Sequence, residues 1–448
     1  MGKAAAALSG LRRELDGDVL APGDPGYDQA RAVFNARIDR HPAVIAQCEG
    51  TPDVVRAVRF ARELDLKIAV RGGGHSVTGT AVCDNGLVVD LRRMRTVAVD
   101  PRSPSVRLGG GTLTAELDRA TLRHALAAGA GRFSATGVAG TVLGGCTGWL
   151  DRPFGLAADA LLAVDVVTAD GDTVAATPEQ EPDLFWALHG GGGNFGIATA
   201  LTLRLHELPA FSAALLTFPP ATAPEAVRAY RDLVEAGPAR LGGAVLYTAD
   251  RPWSPVCGVL VTYAGAVADL RALIRPLSAL PHRAAIVSPM PYPGVRRLLD
   301  VPPGLRGHGS AAHLTALPDE LADLFCARAA AMPAPTYCRY ALFPLGGALA
   351  HGPAGHPAPC QDAAWSAHPL GAWADPADDE RALRWADAVH DDVRPWRTGA
   401  VYAAPVADTG GDRLVAGLDT GTLARLERVK RRYDPDNVFR YNHNVRPA

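Results

Sequence analysis

LKIAVRGGGHSVTG, residues 66–79, is the stretch that decides how the rest of the chain is read. Residues 66–71 are an apolar, partly β-branched run and read as a strand. Three glycines, Gly72, Gly73 and Gly74, follow at once. Glycine reaches positive φ without a steric penalty and lets the backbone come close to a ligand. Successive peptide N–H groups in such a turn form a concavity suited to an anion such as a pyrophosphate. His75 at the far end of the loop would then reach the non-phosphate part of the same ligand. Arg71, Ser76 and Gly79 are taken into that site with it. On residue chemistry alone a plain strand-ending turn is the favoured reading, since glycine turns are common.

Two further glycine clusters lie downstream. GVAGTVLGGCTG, residues 137–148, has five glycines among small residues. It reads either as a backbone wall against a flat cofactor or as close packing of bare backbone. The third, Gly191-Gly192-Gly193-Asn194-Phe195-Gly196, fits GxGxxG. The dinucleotide fingerprint needs a strand before it and a helix after it. Here a helix-like PDLFWALHG precedes and a strand-like IATALTLRL follows, which argues against nicotinamide binding of that type. The chain has no GxxxxGK[ST] and no GxSxG motif.

Other elements are legible by the same rules. Residues 43–47, 86–91, 96–100 and 197–205 read as strands. Thr51-Pro52 opens a helix whose Val54, Val58 and Ala61 share one face. A helix is expected near 112–127, and a hairpin over 161–176 with Asp170-Gly171 as its turn. From about 208 the texture changes to strands (244–249, 256–265) alternating with helices (224–236, 266–279, 317–330). Residues 350–376 read as a long surface loop. A last amphipathic helix from 422 ends at Tyr433-Asp434-Pro435, before a short irregular tail.

A chain of 448 residues exceeds what one core usually serves, so two domains are expected. Hydrophobic residues make up 48% and charged residues 21%, with a formal net charge of −2. That balance argues against a nucleic-acid or membrane-surface binder. No run reaches 18 apolar residues, and the N-terminus shows no signal-like apolar segment, so a cytoplasmic protein is expected. Seven cysteines without CxxC spacing argue against a metal site or a disulfide framework. Three lysines (Lys3, Lys67, Lys430) leave arginine to carry the positive charge, which suggests a GC-rich bacterial genome.

The sequence resembles the berberine bridge enzyme-like flavoproteins of the vanillyl-alcohol oxidase (PCMH-type FAD-binding) superfamily. The matching pieces are YDQARAVFNARIDRHPAVIAQC (27–48), VRGGGHSVTG (70–79), GLVVDLRRMRTVAVDP (86–101), GTVLGGCTGWLDRPFGLAADALLAVDVVTADGDTV (140–174), PDLFWALHGGGGNFGIATALTLRLH (182–206) and RYDPDNVFRYNHNVRP (432–447). They stand in family order and cover the first 206 residues and the last 30 or so. The resemblance implies an α+β, two-domain fold. An FAD-binding domain (1–207) would be joined by a C-terminal segment (396–448). Between them would lie a substrate domain (208–395) of antiparallel sheet flanked by helices.

It also implies one FAD per chain, bound covalently through His75 to the flavin 8α-methyl carbon. Thr136, Gly137, Gly140, Thr141, Gly144, Gly145 and Gly148 would line the flavin and diphosphate. Asp159 and Ile197 would lie near the adenosine, and Tyr441, Asn442 and Asn444 near the isoalloxazine. Many relatives add a cysteinyl tether in a G-x-C-x-x-V/L-G segment; here Phe133 stands in the cysteine's place, which argues against a second bond. Cys146 is a weaker substitute, and His189 replaces a usual arginine. The family's Y-x-N-Y/F pattern reads Tyr402-Ala403-Ala404-Pro405, and its AYG-like signature reads Val415-Ala416-Gly417. Tyr402, Tyr340 and Tyr441, with Tyr337 as a further rival, are the candidates for a catalytic base. The expected activity is an oxidase of a small organic molecule in bacterial secondary metabolism, with O2 as acceptor and H2O2 as product. A dehydrogenase, a cyclising or oxygenating enzyme, and a flavin-binding protein with altered catalysis are the alternatives.

Overall fold

The computed structural model describes residues 2–248, 256–334, 336–353, 355–358, 360–398 and 418–448. β1 (Asp18–Leu20), β2 (Val44–Gln47), β3 (Ile68–Arg71) and β4 (Leu87–Asp90) form a sheet in the order β1-β2-β4-β3. β2 and β3 both run parallel to β4, and β1 is antiparallel to β2. Parallel neighbours need a crossover, and a helix is the usual one. Helix Thr51–Glu63 supplies it between β2 and β3, with Pro52 in its first turn. It buries Val54, Ala57, Val58 and Ala61 in the core shared with this sheet.

β5 (Val97–Asp100), β6 (Ser105–Gly109), β8 (Leu161–Val167), β9 (Thr173–Ala176) and β10 (Ile197–Arg204) make an antiparallel sheet ordered β5-β6-β10-β8-β9. β7 (Leu126–Ala127) pairs with β11 (His206–Glu207). The expected hairpin is β8–β9, and Gly171 takes φ 77° in its turn. β10, the strand after the third glycine cluster, is central in its sheet, between β6 and β8.

The third sheet has eight strands: β12 (Ser212–Phe218), β13 (Leu241–Thr248), β14 (Val256–Tyr263), β15 (Ala284–Pro289), β16 (Arg306–Gly309), β17 (Ala312–Leu314), β18 (Arg339–Pro344) and β19 (Trp365–Trp373). Their order is β15-β12-β14-β13-β18-β19-β16, with β17 also on β19, and the pairings are antiparallel. Alternation divides its two faces. Val245, Tyr247, Tyr340, Leu342, Trp365 and Ala367 belong to a core shared with helices Ala223–Ala236, Asp319–Ala330 and Asp379–Asp392. Leu246, Arg339, Ala341, Phe343, His368 and Leu370 line a cavity that the glycine loops also line. The architecture is mixed α+β, as the resemblance implies.

Three expectations are corrected in detail. The stretch 350–376 is not all loop: it contains β19, hidden in the sequence by its Pro, His and Gly content. Pro369 is tolerated opposite the break between β16 and β17, where its carbonyl accepts a bond from Ser310 N at 3.3 Å. The helix expected over 266–279 is split into Val267–Leu273 and Arg275–Ser278, with Pro276 in the first turn of the second piece. The helix expected near 112–127 is shorter, Thr114–Leu122, and Leu126–Ala127 is β7.

The C-terminal helix, Thr420–Tyr433, starts on an Asp419 cap that accepts from Gly421 N and Thr422 N, both at 2.9 Å. It ends just before Pro435, as the sequence indicates. The tail then returns to the third glycine cluster. Lys430 Nζ, fully buried, donates to Asn194 O (2.8 Å), Asp434 Oδ2 (2.6 Å) and Phe439 O (3.0 Å). Asn194 Nδ2 donates to His443 O (3.0 Å), and Asn194 Oδ1 accepts from Val445 N (2.9 Å).

Candidate active site

The loop after β3 is held from behind. Arg71 turns away from the cavity and donates to Ala30 O (2.5 Å) and Ala32 O (2.6 Å). It lies under Gly74, whose φ of 69° suits glycine. The loop meets the second glycine cluster backbone to backbone: a Cβ on Gly73 would stand 2.3 Å from Gly137 N. At Gly140, Gly192 and Gly193 the opposite holds, because a Cβ there would meet nothing within 4 Å. These three line the cavity, so a side chain would occupy space that the fold leaves open. Bare backbone from three distant clusters therefore forms one cradle.

The cavity measures about 430 Å³ and extends from that cradle to strands β13, β18 and β19 of the eight-stranded sheet. His75 sits within it between two rings, with centroids 3.7 Å from Phe34 and 5.7 Å from Phe133, both stacked. Burial lowers its pKa to about 4, so the imidazole is neutral near pH 7. Asn442 enters from the tail: its Nδ2 donates to Gly193 O (3.2 Å) and Phe439 O (3.1 Å), while its buried Oδ1 has no protein partner.

The far wall carries polar groups that the sequence reading missed. His368 is half-buried, with Nε2 2.7 Å from Ser366 Oγ and its ring edge-on to Phe343 at 5.0 Å. Burial first, then the charges of Arg132 and His313, push its pKa well below the usual histidine value. Arg132 stacks its guanidinium on Phe343, 3.9 Å from the ring centroid, and donates to Thr147 O (3.3 Å) and Thr147 Oγ1. Arg339 donates to Leu299 O (2.5 Å) and Asp300 O (3.3 Å). His368 was not legible because β19 was read as loop, and Arg339 because β18, which it begins, was not singled out as a strand. Arg132, beside Phe133, had only its place in the loop as a signal.

Of the expected cofactor residues, the loop Gly72–Ser76 lines the cavity, as do Thr136, Gly137, Gly140, Thr141 and Gly144. Ile197, Tyr441 and Asn442 join them, and so does Cys146. The others are placed elsewhere. Gly79 packs on Ile38, Gly145 on Ala358 and Gly148 on Gly129 O, where a Cβ would come within 2.6 Å, 2.5 Å and 2.4 Å respectively. Their role is tight packing behind the cradle, as is that of Arg71. Asp159 accepts from Leu156 N (3.1 Å) and lies 3.5 Å from His356 Nδ1, off the cavity. Asn444 is not in the lining.

Among the tyrosines, Tyr340 is corrected: strand alternation turns it to the opposite face, where it is 1% exposed against Phe325 and Trp385. Tyr337 is exposed and off the cavity. Tyr441 lines the cavity and stacks under Arg40. Tyr402 and Val415-Ala416-Gly417 lie outside the described residues. His189 is buried against His356, with ring centroids 4.1 Å apart. Among the described residues no group of three His, Cys, Asp or Glu is arranged to hold a metal, and no helix is long and apolar enough to cross a membrane.

The cradle fits a dinucleotide: backbone N–H groups for phosphates, open space at Gly140, Gly192 and Gly193, and an unpartnered amide oxygen on Asn442. Comparison with known proteins agrees. Residues 42–177 match the model of an FAD binding domain, and residues 421–446 match the berberine and berberine-like model. Over these segments the chain is similar to the berberine-like FAD-linked oxidoreductases.

It is 37% identical over 195 residues to (R)-6-hydroxynicotine oxidase of Paenarthrobacter nicotinovorans, an alignment covering 44% of this chain and 43% of that protein. An uncharacterised FAD-linked oxidoreductase of Bacillus subtilis is 27% identical over 97% of this chain and 98% of its own length. In structure, 6-hydroxy-D-nicotine oxidase from Arthrobacter nicotinovorans superposes with a TM-score of 0.87 at 26% identity, covering 97% of this chain and 98% of the other. Xylooligosaccharide oxidase from Myceliophthora thermophila shares the fold, with a TM-score of 0.84 at 22% identity over 99% of both chains.

Proposed function

We propose that this FAD-linked oxidoreductase is an oxidase of a small organic molecule, that it carries its flavin on His75, and that His368 takes the substrate's proton. The loop Gly72–Gly74 and the backbone at Gly137–Gly144 would hold the diphosphate, and Asn442 would accept a hydrogen bond from the flavin or adenosine. When bound, FAD accepts hydride from a C–H next to oxygen or nitrogen and passes the electrons to O2, giving H2O2. His75 is suited to a covalent bond at the flavin 8α-methyl carbon because its neutral imidazole is nucleophilic. The Phe34 and Phe133 rings hold it in one orientation. Phe133 supplies no thiol, so a single tether is expected.

His368 does the proton work at the opposite wall. A general base must be unprotonated at the working pH and within reach of the proton. Burial and the nearby Arg132 charge keep it neutral, and the Ser366 hydroxyl fixes its ring. The observation that carries this reading is that His75, the three glycine clusters and His368 line one cavity. The names of the relatives, a hydroxynicotine oxidase and an oligosaccharide oxidase among them, support small-molecule oxidation. The arginine-dominated composition supports a bacterial setting, and we place the reaction among secondary-metabolite tailoring steps in the cytoplasm.

The test is a denaturing gel of the purified yellow protein, viewed under ultraviolet light beside a His75→Ala control, with peroxide measured during turnover. Fluorescence kept by the wild-type band and lost from the control is expected. Flavin released from both would remove the tether. Turnover without peroxide would make the enzyme a dehydrogenase. A protein that binds no flavin would overturn the whole reading.

A further inference from the structure

The ionisable side chains that line the cavity are Arg132 and Arg339, with His75, Cys146, His368, His443 and Tyr441; among the described residues that line it there is no Asp or Glu. Arg132 is only 5% exposed. A buried guanidinium is normally paired, because an isolated buried charge is costly. No carboxylate lies within 4.0 Å of Arg132 among the described residues, and its Nε is buried without a hydrogen-bond partner.

Asp151 feels the Arg132 charge but makes no ion pair with it within 4.0 Å: it accepts from Gly148 N (2.5 Å), and burial still raises its pKa to about 7. Asp300 accepts from Ser134 N (2.9 Å) and from the Ser134 hydroxyl. Neither lines the cavity. The backbone assigned to the diphosphate is Gly72–Gly74 and Gly137–Gly144, whereas Arg132 meets the second cluster beyond that stretch, at Thr147. Arg132 also stacks on Phe343 of β18, in the substrate-side wall that also holds His368 and Arg339. Around them that wall is largely apolar, with Phe133, Leu246, Leu299, Phe343 and Leu370, and it also holds the Ser310 hydroxyl.

We infer that the substrate is an organic acid whose carboxylate pairs with Arg132, while its apolar body lies between Phe133 and Phe343 and its oxidisable carbon beside His368. This rests on the proposed function, of which it names the substrate class. Arginine suits the task because its planar fork binds a carboxylate through two parallel hydrogen bonds and still stacks on an aromatic ring. Phe343 and the Thr147 anchor hold that fork in place before the ligand arrives.

The test titrates the flavin-loaded protein with benzoate and with benzamide, which share a flat apolar body and differ in charge. The readout is the absorbance change of the bound flavin, so no turnover is needed. Saturable binding of benzoate is expected, at least tenfold tighter than that of benzamide. Arg132→Met is expected to weaken benzoate about 30-fold, equivalent to about 2 kcal/mol, and to leave benzamide unchanged. Arg132→Lys, which keeps the charge but not the fork, is expected to fall between.

Equal binding of benzoate and benzamide by the wild type would overturn the inference. So would an Arg132→Met protein that binds benzoate as before and shows only an altered flavin reduction potential, for then Arg132 serves the flavin. Failure of the underlying function reads differently, as a purified protein without flavin.

Discussion

Replacing Lys430 by methionine tests how the C-terminal tail is kept in the cradle. The ammonium makes three bonds, to Asn194 O, Asp434 Oδ2 and Phe439 O, and both charges of the pair are fully buried. Removing one partner of a buried pair costs about 3–5 kcal/mol, because the other charge is left uncompensated. Asp434 keeps its bonds from Val438 N (2.7 Å) and Phe439 N (2.8 Å), so the lower end applies. A loss of about 3 kcal/mol corresponds to roughly 6–12 °C in melting midpoint for a cooperative unit of about 200 residues. The effect should reach the site, since Phe439, Tyr441 and Asn442 line the cavity just beyond Lys430. The assay is thermal unfolding by circular dichroism with flavin fluorescence followed in parallel. The expected result is an early flavin transition at the lowered midpoint. The double variant Lys430→Met/Asp434→Leu should recover part of the loss, because no unpaired charge remains. A single variant that melts within 2 °C of wild type would refute the reasoning.

Other predictions follow from the same geometry. Gly73→Ala puts a Cβ 2.3 Å from Gly137 N, a backbone atom that cannot swing aside; purified protein should retain less than about a tenth of its flavin, measured by absorbance, at a cost of about 1–3 kcal/mol in stability. His368→Asn should lower the rate of flavin reduction under anaerobic mixing by at least about 100-fold with flavin content intact; a rate within threefold of wild type would remove it as the base. Because the pKa of His368 is pushed well below 6.5, the wild-type reduction rate should hold steady as pH falls through 6.5. Stability has its own pH dependence: His189 and His313, both 2% exposed, are held neutral with pKa values near about 4. The unfolded chain therefore binds more protons between about pH 6.5 and pH 4, and stability is lost as pH falls through that window, by up to about 1.4 kcal/mol per pH unit for each group. Asp151, raised to about 7, works the other way and offsets one of them. The melting midpoint should still fall from pH 6.5 to 4.5, and His313→Asn should flatten the slope; an unchanged slope would show that His313 is not the group lost.

The FAD half was legible because its function is carried by backbone. A glycine loop after an apolar strand is visible in one dimension, although LKIAVRGGGHSVTG alone also reads as a plain turn and needed the family resemblance to be read as a cofactor loop. The same fact sets a limit. Glycines that line a cavity and glycines that permit tight packing look alike in sequence. Gly140 opens on the cavity, whereas Gly145, five residues on, has its Cβ direction blocked by Ala358 from a segment more than 200 residues away. The GxGxxG at 191–196 shows the point from another side. It fails as a nucleotide fingerprint because a strand follows it, yet it lines the cradle, and Asn194 fastens the tail to it. Its chemistry is close backbone approach, which the order of helix and strand does not decide.

The substrate wall was illegible for a different reason. Its chemistry rests on alternate residues of β18 and β19, and alternation reveals a face only once the strand is recognised. Tyr340 drew attention as a phenol, but the residues on either side of it, Arg339 and Ala341, are the ones that reach the cavity. His368 stood unnoticed inside a Pro- and His-rich stretch whose composition imitates a loop. Its register partner Ala341, whose strand neighbours Arg339 and Phe343 share its face, completes the wall. The reacting half of such an enzyme is therefore written in the pairing of two strands some 25 residues apart, and in which of two faces each side chain takes. Composition and motif spacing carry neither, whereas the flavin half is written in a loop that repeats one residue three times.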